Sequence, residues 1–482
     1  MSITNKRAAT DSSKSQEKII VVNPTTEQII AKLPCDGEAD VEQAINLACT
    51  AFESWSVTPA IERAELLQNF ARRLRDSADS IAKQLVIEGG KSIVEAEMEV
   101  TWAVEAFNYF SGLARQRAGH IAPANTHDSM NLVIKSPVGV VAAILPWNFP
   151  LLLWAWKAAP ALAAGNCVIA KSSPVTPLSL LKTQELLALP KGVHQVVNGF
   201  GDVGAQLVDS PKTDMVAFTG TSTTGVEIMQ SCARQSKAVV AEMSGSDPFI
   251  VWSDVDIETA VEAVAFAAFV NAGQVCTSAE RIYVADEIYD CFAEALAERA
   301  SCLRVGDPTD PKIDIGPLAT AESRDRVAHY VERACAAGAT LLAGGHPVDR
   351  QGYYFAPTVL GEVSHEFLTE AGEIFGPVAP LVRVNSFDEA LQLANDSPYG
   401  LGANVLTENL TLAMKATRDL RFGTVWINSP LMDNYAAPFG GFRQSGMGRE
   451  LGEEGFDAFL ESKHISLDFA LTMQPWWFNQ RK

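Results

Sequence analysis

Short apolar runs that alternate with helical segments constrain the fold of this chain most strongly. Between residues 138 and 245, the runs G-V-V-A-A-I-L, C-V-I-A-K, H-Q-V-V-N and M-V-A-F-T-G are separated by segments of helical character. Uniformly apolar strands that alternate with helices predict a parallel, doubly wound α/β sheet. A second series begins near Pro248 with F-I-V-W and continues through R-I-Y-V, P-T-V-L and T-V-W-I-N, which predicts a second α/β unit.

The segments outside these two series have different patterns. Residues 40 to 119 carry apolar side chains at three-to-four spacing, which is typical of amphipathic covering helices. The tail from Lys463 reads H-I-S-L-D-F-A-L and alternates like an edge strand, a surface that another subunit often covers. At 482 residues the chain exceeds the roughly 250–300 residues that one core can serve, so we expect more than one domain.

Charge and cysteine usage limit the class of partner and compartment. A net charge of −20 repels phosphate backbones, which argues against nucleic acid or an anionic membrane surface as a general partner. The eight cysteines show no C-x-x-C pair and no metal-ligand spacing, as expected for reduced thiols. The polar N-terminus has no secretory pattern, and prolines interrupt the apolar region from Val138 to Ala170, so we expect a cytoplasmic protein without a membrane span.

A glycine turn and several later residues are candidates for holding a nucleotide. F-T-G-T-S-T-T-G (218–225) lies between an apolar run and a helical segment, where backbone can approach a phosphate at a helix N-terminus. The turn is not G-x-G-x-x-G, so a purely structural glycine turn is the alternative. Lys171, at the end of C-V-I-A-K, could reach a ribose or a phosphate, and Glu373 with Phe375 could hold a ribose beside a flat ring. Solvated or salt-bridged side chains are the alternatives for these residues.

Three further residues have the chemistry of a covalent active site. Asn148, held between prolines and aromatic residues in P-W-N-F-P, could donate to an oxyanion, although a loop cap is the alternative. Glu242 ends a hydrophobic strand, where burial would raise its pKa and make it a general base. Cys276 follows Gly273 and Gln274, poor neighbours for a packing thiol, and the pattern predicts an accessible nucleophile at a helix start, where the dipole favours thiolate. A buried inert thiol is the commoner case for cysteine.

Taken together, these motifs make the chain similar to the aldehyde dehydrogenase superfamily over nearly its whole length. The motifs occur in the family's order: P-W-N-F-P (146–150), K-S-S-P-V-T-P (171–177), F-T-G-T-S-T-T-G (218–225), E-M-S-G (242–245), G-Q-V-C (273–276), E-I-F-G-P-V (373–378), S-P-Y-G-L-G-A (397–403) and P-F-G-G-F-R-Q-S-G-M-G-R-E (438–450). Cys276 also follows Glu242 by 34 residues, an interval that matches the family.

The resemblance implies a mechanism and a set of residues for it. Cys276 attacks the aldehyde, Asn148 and the Cys276 N–H hold the oxyanion, hydride passes to nicotinamide, and Glu242 activates the water that hydrolyses the thioester. The implied cofactor residues are Pro146, Trp147, Lys171, Ser173, Phe218, Gly220, Thr221, Met243, Glu373 and Phe375. Pro174 stands where NAD-preferring members often carry glutamate, so NAD is the first choice and NADP remains open.

The resemblance also implies the domain organisation. It predicts a Rossmann-like dinucleotide-binding domain over residues 1–117 and 138–244 and an α/β catalytic domain over 245–444. A small β extension over 118–137 and 460–482 would serve oligomerisation as a homodimer or homotetramer.

Matching positions predict the substrate tunnel. Its residues would be Trp102, Phe149, Leu152, Leu153, Trp156, Val270, Val275, Thr277, Asp433 and Phe439. Most are apolar and several are aromatic, which favours an aromatic or medium-size hydrophobic aldehyde. Asp433 near two tryptophans favours the alternative of a cationic aminoaldehyde or betaine-aldehyde-type substrate, although Val270 leaves a gap where aromatic-box members carry a ring.

Two rival functions are consistent with the same resemblance. In a CoA-acylating dehydrogenase, CoA would resolve the thioester, but the presence of Glu242 argues for water. A catalytically idle structural or binding member of the family is the rival from another class. The presence of a nucleophile, a base and an oxyanion donor argues against a catalytically idle protein.

Overall fold

The structure is a computed structural model that describes residues 18–474 and 476–478. A hairpin, four helices and two further strands come first in that part of the chain: β1 (Lys18–Val22), β2 (Ile29–Pro34), α1 (Glu38–Trp55), α2 (Ala60–Asp76), α3 (Ala78–Gly89), α4 (Ile93–Leu113), β3 (Gly119–Ala122) and β4 (Ser129–Pro137). Helices α1 to α4 confirm the helical pattern predicted for residues 40 to 119, and their apolar faces are buried.

The first α/β unit follows the strand and helix alternation in the sequence. Its elements are β5 (Val140–Ile144), α5 (Pro150–Ala164), β6 (Cys167–Lys171), α6 (Leu178–Leu187), β7 (His194–Val197), α7 (Gly201–Asp209), β8 (Met215–Thr219), α8 (Ser222–Arg234) and β9 (Ala238–Glu242). The strands pair in parallel in the order β9-β8-β5-β6-β7. Ile144 pairs with both Lys171 and Phe218, and Thr219 pairs with Glu242. These residues therefore lie at one carboxyl edge of the sheet.

The second α/β unit contains a seven-stranded sheet. Its elements are β10 (Asp247–Val251), α9 (Ile257–Phe269), β11 (Ala279–Ala285), α10 (Tyr289–Cys302), α11 (Ala321–Ala336), β12 (Thr340–Ala343), β13 (Thr358–Gly361), α12 (His365–Ala371), β14 (Val378–Val384), α13 (Phe387–Asn395), β15 (Gly402–Leu406), α14 (Leu410–Asp419) and β16 (Thr424–Ile427). The strand order is β12-β13-β14-β11-β10-β15-β16, with β12 antiparallel to β13 and the other pairs parallel.

The last described elements return to the first half of the molecule. They are β17 (Gly446–Met447), α15 (Gly452–Asp457) and β18 (Leu460–Asp468). Strand β17 pairs antiparallel with β9, and β18 forms the edge of a three-stranded sheet with β4 and β3. The edge strand predicted for the tail is therefore present.

Two separate cores underlie the two units. One surrounds β5, β6 and α5 and includes Phe456 and Phe459 from the C-terminal segment, while the other surrounds β10, β11 and β14. Every residue of α5 is buried, which explains the long apolar region that sequence hydropathy alone could confuse with a membrane span. The predicted α/β fold class is confirmed by this arrangement, whereas the domain limits and the oligomerisation role remain predictions.

Candidate active site

Two cavities meet at Cys276. The first has about 550 Å³ of empty space and is lined by Pro146, Trp147, Asn148, Thr219, Gly220, Thr221, Glu242, Met243, Ser244, Cys276, Arg326, Glu373 and Phe375. The second has about 990 Å³ and is lined by Met98, Trp102, Phe149, Leu152, Leu153, Trp156, Phe266, Val270, Val275, Cys276, Thr277, Leu431, Met432, Asp433, Tyr435 and Phe439. Among the described residues, Cys276 is the one that lines both, so its thiol stands where the contents of the two cavities would meet.

Backbone geometry accounts for the residues that precede Cys276. Asn271, Ala272 and Gly273 all have positive φ, at 51°, 55° and 71°, so the chain turns tightly after α9. A Cβ on Gly273 would lie 2.1 Å from the carbonyl oxygen of Gly376, a distance that no side chain tolerates. The glycine is therefore required for the turn that presents Cys276.

The expectation of a helix start at Cys276 is wrong. Cys276 lies in a turn between the 3₁₀ segment Val270–Gly273 and strand β11, so it does not stand at the N-terminus of a helix. Burial and the nearby carboxylates of Glu242 and Asp247 raise the pKa of the thiol well above its usual range. This shift favours the thiol over the thiolate, because burial and the acidic neighbours disfavour negative charge on the sulfur.

Glu242 is the carboxyl group in contact with that thiol. It ends β9, is buried, and hydrogen-bonds with the Cys276 side chain. Burial, reinforced by the charge of Glu450, raises the pKa of Glu242 to about 8, against the opposing influence of Lys157. Its Oε1 atom has no hydrogen-bond partner among the described residues, which leaves one oxygen available to a substrate or to water.

Lys157 and Glu450 form a buried pair beside Glu242 that sequence reasoning missed. Lys157 Nζ donates to Glu450 Oε1 and to Thr219 Oγ1, each at 2.6 Å. Lys157 and Glu450 are 0% and 4% exposed. The signal in the sequence was a single cation inside the apolar run of α5, and its partner is 293 residues away.

Asn148 lies on the loop between β5 and α5 and faces the turn before Cys276. Its Nδ2 donates to the carbonyl of Gln274 at 3.1 Å, which leaves the second N–H of the amide for another acceptor. The Gln274 side chain is itself fixed by a bond to the carbonyl of Asn271 at 2.9 Å. The predicted nucleophile, base and oxyanion donor are thus brought to one cavity.

The first cavity has the features that a dinucleotide requires. Thr221 caps α8 by accepting from the Thr224 N–H, and the N-terminus of this 13-residue helix opens on the cavity. A Cβ on Gly225 would lie 2.2 Å from Met243 Sδ, so a larger residue there would disturb the cavity wall. The Trp147 and Phe375 rings meet edge to face at 5.3 Å.

Three predicted cofactor residues stand outside this lining. Lys171 ends β6 and burial lowers its pKa to about 8, while Ser173 follows in the next loop. The Phe218 ring lies beneath Gly220, where it supports the glycine turn. Thr219, Ser244 and Arg326 also line the cavity but were missed. Thr219 and Ser244 adjoin the predicted Gly220 and Met243 in the sequence, whereas Arg326, on α11, is brought there only by folding.

The second cavity contains every predicted tunnel residue. It is mainly aromatic and aliphatic, and the Trp156 and Phe439 rings pack at 5.0 Å. Asp433 lines this cavity as an exposed residue, and desolvation of its carboxyl group raises its pKa to about 7. Five lining residues were not predicted from sequence: Met98, Phe266, Leu431, Met432 and Tyr435.

A thiol and a buried carboxyl group thus lie together where a cavity lined by many polar side chains meets a largely apolar one. The aldehyde dehydrogenase family model matches residues 10–465. The chain belongs to this family and is an enzyme of the aldehyde dehydrogenase class.

Curated relatives and solved structures agree over most of the chain. It is 39% identical to lactaldehyde dehydrogenase of Escherichia coli, covering 93% of this chain and 95% of the relative. It is 36% identical to an E. coli succinate-semialdehyde dehydrogenase described as NADP(+)-linked, covering 94% of each. Betaine aldehyde dehydrogenase of Staphylococcus aureus, solved with NAD+, matches with a TM-score of 0.92 at 35% identity, covering 95% of this chain and 93% of that one.

None of the helices within residues 18–474 and 476–478 combines the length and apolar content that a membrane crossing needs.

Proposed function

We propose that this enzyme oxidises aromatic or medium-size hydrophobic aldehydes to carboxylic acids with NAD. The observation that carries the proposal is the position of Cys276 where a cavity lined by many polar side chains meets one lined mainly by aromatic and aliphatic side chains. Such a thiol can bond to an aldehyde carbon that enters from one side while a nicotinamide lies on the other. A bound nicotinamide supplies the acceptor for the hydride that leaves the adduct carbon.

The residues of the chain account for the proton and charge movements. The Cys276 thiol loses its proton to solvent and the sulfur bonds to the aldehyde carbon, while the Asn148 amide with the Cys276 N–H stabilises the oxyanion. Hydride loss leaves a thioester on the sulfur. Glu242 then takes a proton from water, and the water oxygen adds to the thioester carbon. Cleavage of the C–S bond releases the acid, and Glu242 returns the proton to the departing sulfur.

The wall of the second cavity supports an uncharged substrate. None of its described lining residues is cationic, so a substrate carboxylate would be buried there without an ion-pair partner. The succinate semialdehyde in the name of one relative carries such a carboxylate. Trp102, Trp156 and Phe439 instead offer the flat apolar surface that an aromatic aldehyde needs.

Asp433 supports a second candidate, a cationic aminoaldehyde. Its carboxyl group lies in the same cavity as Trp102 and Trp156, which favour a cation through their ring faces. Val270 leaves one side of this group without a ring. The apolar aldehyde is therefore the main proposal.

Asp202 supports NAD as the nucleotide. It lies in the first turn of α7, close enough to Lys171 for its charge to raise the pKa of that lysine against the effect of burial. A carboxylate at this end of the site would repel a 2′-phosphate, although Pro174 does not supply one. Cytoplasmic location and a homodimeric or homotetrameric state remain predictions from the sequence.

Turnover of an aldehyde panel tests the proposal. Benzaldehyde, hexanal, succinate semialdehyde and 3-aminopropionaldehyde are compared with NAD and with NADP, and Cys276→Ala is the control for covalent catalysis. We expect kcat/KM to be highest for the two uncharged aldehydes with NAD. A preference for succinate semialdehyde would refute the substrate class, and formation of acyl-CoA on addition of CoA would refute hydrolysis as the final step.

A further inference from the structure

A buried cluster beneath Asn148 takes no part in the chemistry described above. It consists of Lys91, Glu95 and Glu99, and we name it the α4 cluster because both carboxylates belong to that helix. The side chains of Lys91 and Glu99 are 2% and 0% exposed, and they form an ion pair. Lys91 Nζ also donates to the carbonyl of Asn148 at 2.8 Å and lies 3.8 Å from the centre of the Phe149 ring.

Glu99 holds the start of the helix that follows Asn148. Its Oε1 accepts from the N–H groups of Leu151 at 2.9 Å and Leu152 at 3.2 Å, while Oε2 pairs with Lys91. The Glu99 carboxylate therefore fixes the first turn of α5 and also holds Lys91, which donates to the Asn148 carbonyl. The peptide between these two attachments has little freedom to rotate.

Glu95 holds the other half of the oxyanion site. It lies one turn earlier on α4 and accepts from the Asn271 N–H at 2.6 Å. The Asn271 side chain donates to the carbonyls of Asn148 at 3.3 Å and Gln274 at 3.2 Å. Two residues of one helix turn thus set the distance between Asn148 and the loop that carries Cys276.

We propose that Lys91 and Glu99 are positioning residues, which orient the Asn148 amide toward the oxyanion and so set the rate of carbonyl attack. Neither residue lines either cavity, so neither is a catalytic residue. A buried ion pair contributes little more to the stability of a fold than apolar residues of the same volume would. A role in orienting Asn148 therefore accounts better for the presence of this pair. The proposal rests on the proposed function, because it requires Asn148 to be the oxyanion donor.

The test combines Lys91→Met with Asn148→Ala in a double-mutant cycle. Three rates are measured: the burst of NADH formation, the hydrolysis of p-nitrophenyl acetate, and the alkylation of Cys276 by iodoacetamide. The first two reactions pass through an oxyanion, whereas alkylation does not. Removing an oxyanion donor costs roughly 10²–10³ in rate, so we expect Lys91→Met to cost about 10- to 100-fold. KM for aldehyde and NAD should change less than about two-fold, and alkylation should keep its rate.

Coupling through Asn148 is the decisive result. If Lys91 acts through that amide, Lys91→Met should cost less than about three-fold more in the Asn148→Ala background. An equal loss in both backgrounds, or a parallel fall in alkylation, would overturn the proposal. Full burst rate in Asn148→Ala alone would instead refute the oxyanion assignment within the proposed function.

Two further variants separate orientation from stability. Glu88→Gln neutralises a buried carboxylate that caps α6 by accepting from Leu178 and Ser179, and it should leave ester hydrolysis within about two-fold. Since breaking a buried ion pair destabilises a protein, Lys91→Met is also combined with Glu99→Gln to give a neutral pair. This double variant should fold and show the same burst defect, and a normal burst rate in it would overturn the proposal.

Discussion

The ionisation of Glu242 should govern how fast the enzyme hydrolyses its thioester. With a pKa of about 8, roughly a tenth of Glu242 is carboxylate at pH 7 and roughly nine tenths at pH 9. The carboxylate is the form that takes a proton from water, so hydrolysis should rise about ten-fold over this interval. In the free enzyme, the hydrogen bond with the Cys276 thiol lowers the pKa of Glu242. Acylation of the sulfur removes this hydrogen bond, so the midpoint of the rise in hydrolysis rate should not lie below the pKa of the free enzyme.

Glu450→Gln shifts this profile in a defined direction. The Glu450 charge raises the pKa of Glu242 and the Lys157 charge lowers it, so removing the first while keeping the second lowers the pKa. Lys157 keeps its bond to Thr219 Oγ1 and can donate to the glutamine oxygen, so the buried cation stays partnered. The midpoint should move to lower pH and the rate at pH 7 should increase.

Stopped-flow detection of NADH measures both phases of the reaction. The linear phase that follows the burst reports thioester hydrolysis, and its dependence on pH is compared in the parent enzyme, Glu450→Gln and Glu242→Gln. A midpoint that moves to higher pH in Glu450→Gln would refute the electrostatic reasoning. The same rise with pH in Glu242→Gln would show that another group titrates.

Two further predictions concern the walls of the cavities. Gly225→Ala places a Cβ 2.2 Å from Met243 Sδ, and overpacking of this kind costs about 1–3 kcal/mol. Titration with NAD should therefore show binding that is at least several-fold weaker. Ester hydrolysis, which needs no NAD, should be retained. Asp433→Asn removes the carboxylate found among the described lining residues of the second cavity. At pH 8 the KM for 3-aminopropionaldehyde should therefore rise about ten-fold, equivalent to ~1.4 kcal/mol. The KM for hexanal should be unchanged or lower. An unchanged KM for the aminoaldehyde would show that Asp433 does not face the substrate.

Local patterns in the sequence were sufficient for much of the fold and for nominating candidate catalytic residues. The apolar runs that became β5, β6 and β8 are buried whichever partners they take, so hydropathy alone identified them. Cys276 stood out because glycine and polar neighbours are unusual for a packing thiol, and Glu242 because burial at the end of a hydrophobic strand would raise its pKa. The ordered motifs then related these residues to a known mechanism.

Properties that depend on tertiary packing were not accessible in the same way. Lys157 meets Glu450 across 293 residues, and the pairing follows from the return of the chain to β9 near its C-terminus. The ionisation of Cys276 was predicted in the wrong direction, because a local helix dipole was expected where burial and acidic neighbours dominate. Charge state depends on three-dimensional neighbours, whereas these buried strands are recognisable from their own continuous apolar runs.

The Glu242→Gln variant tests most directly whether Cys276 and Glu242 divide the reaction between them. The variant is mixed with NAD and hexanal, NADH is counted by absorbance, and Cys276 is examined by mass spectrometry of the quenched protein. We predict about one NADH per subunit and a hexanoyl thioester on Cys276 that persists. Continued turnover at the parent rate, or NADH formation with no acyl group on Cys276, would contradict the assignment.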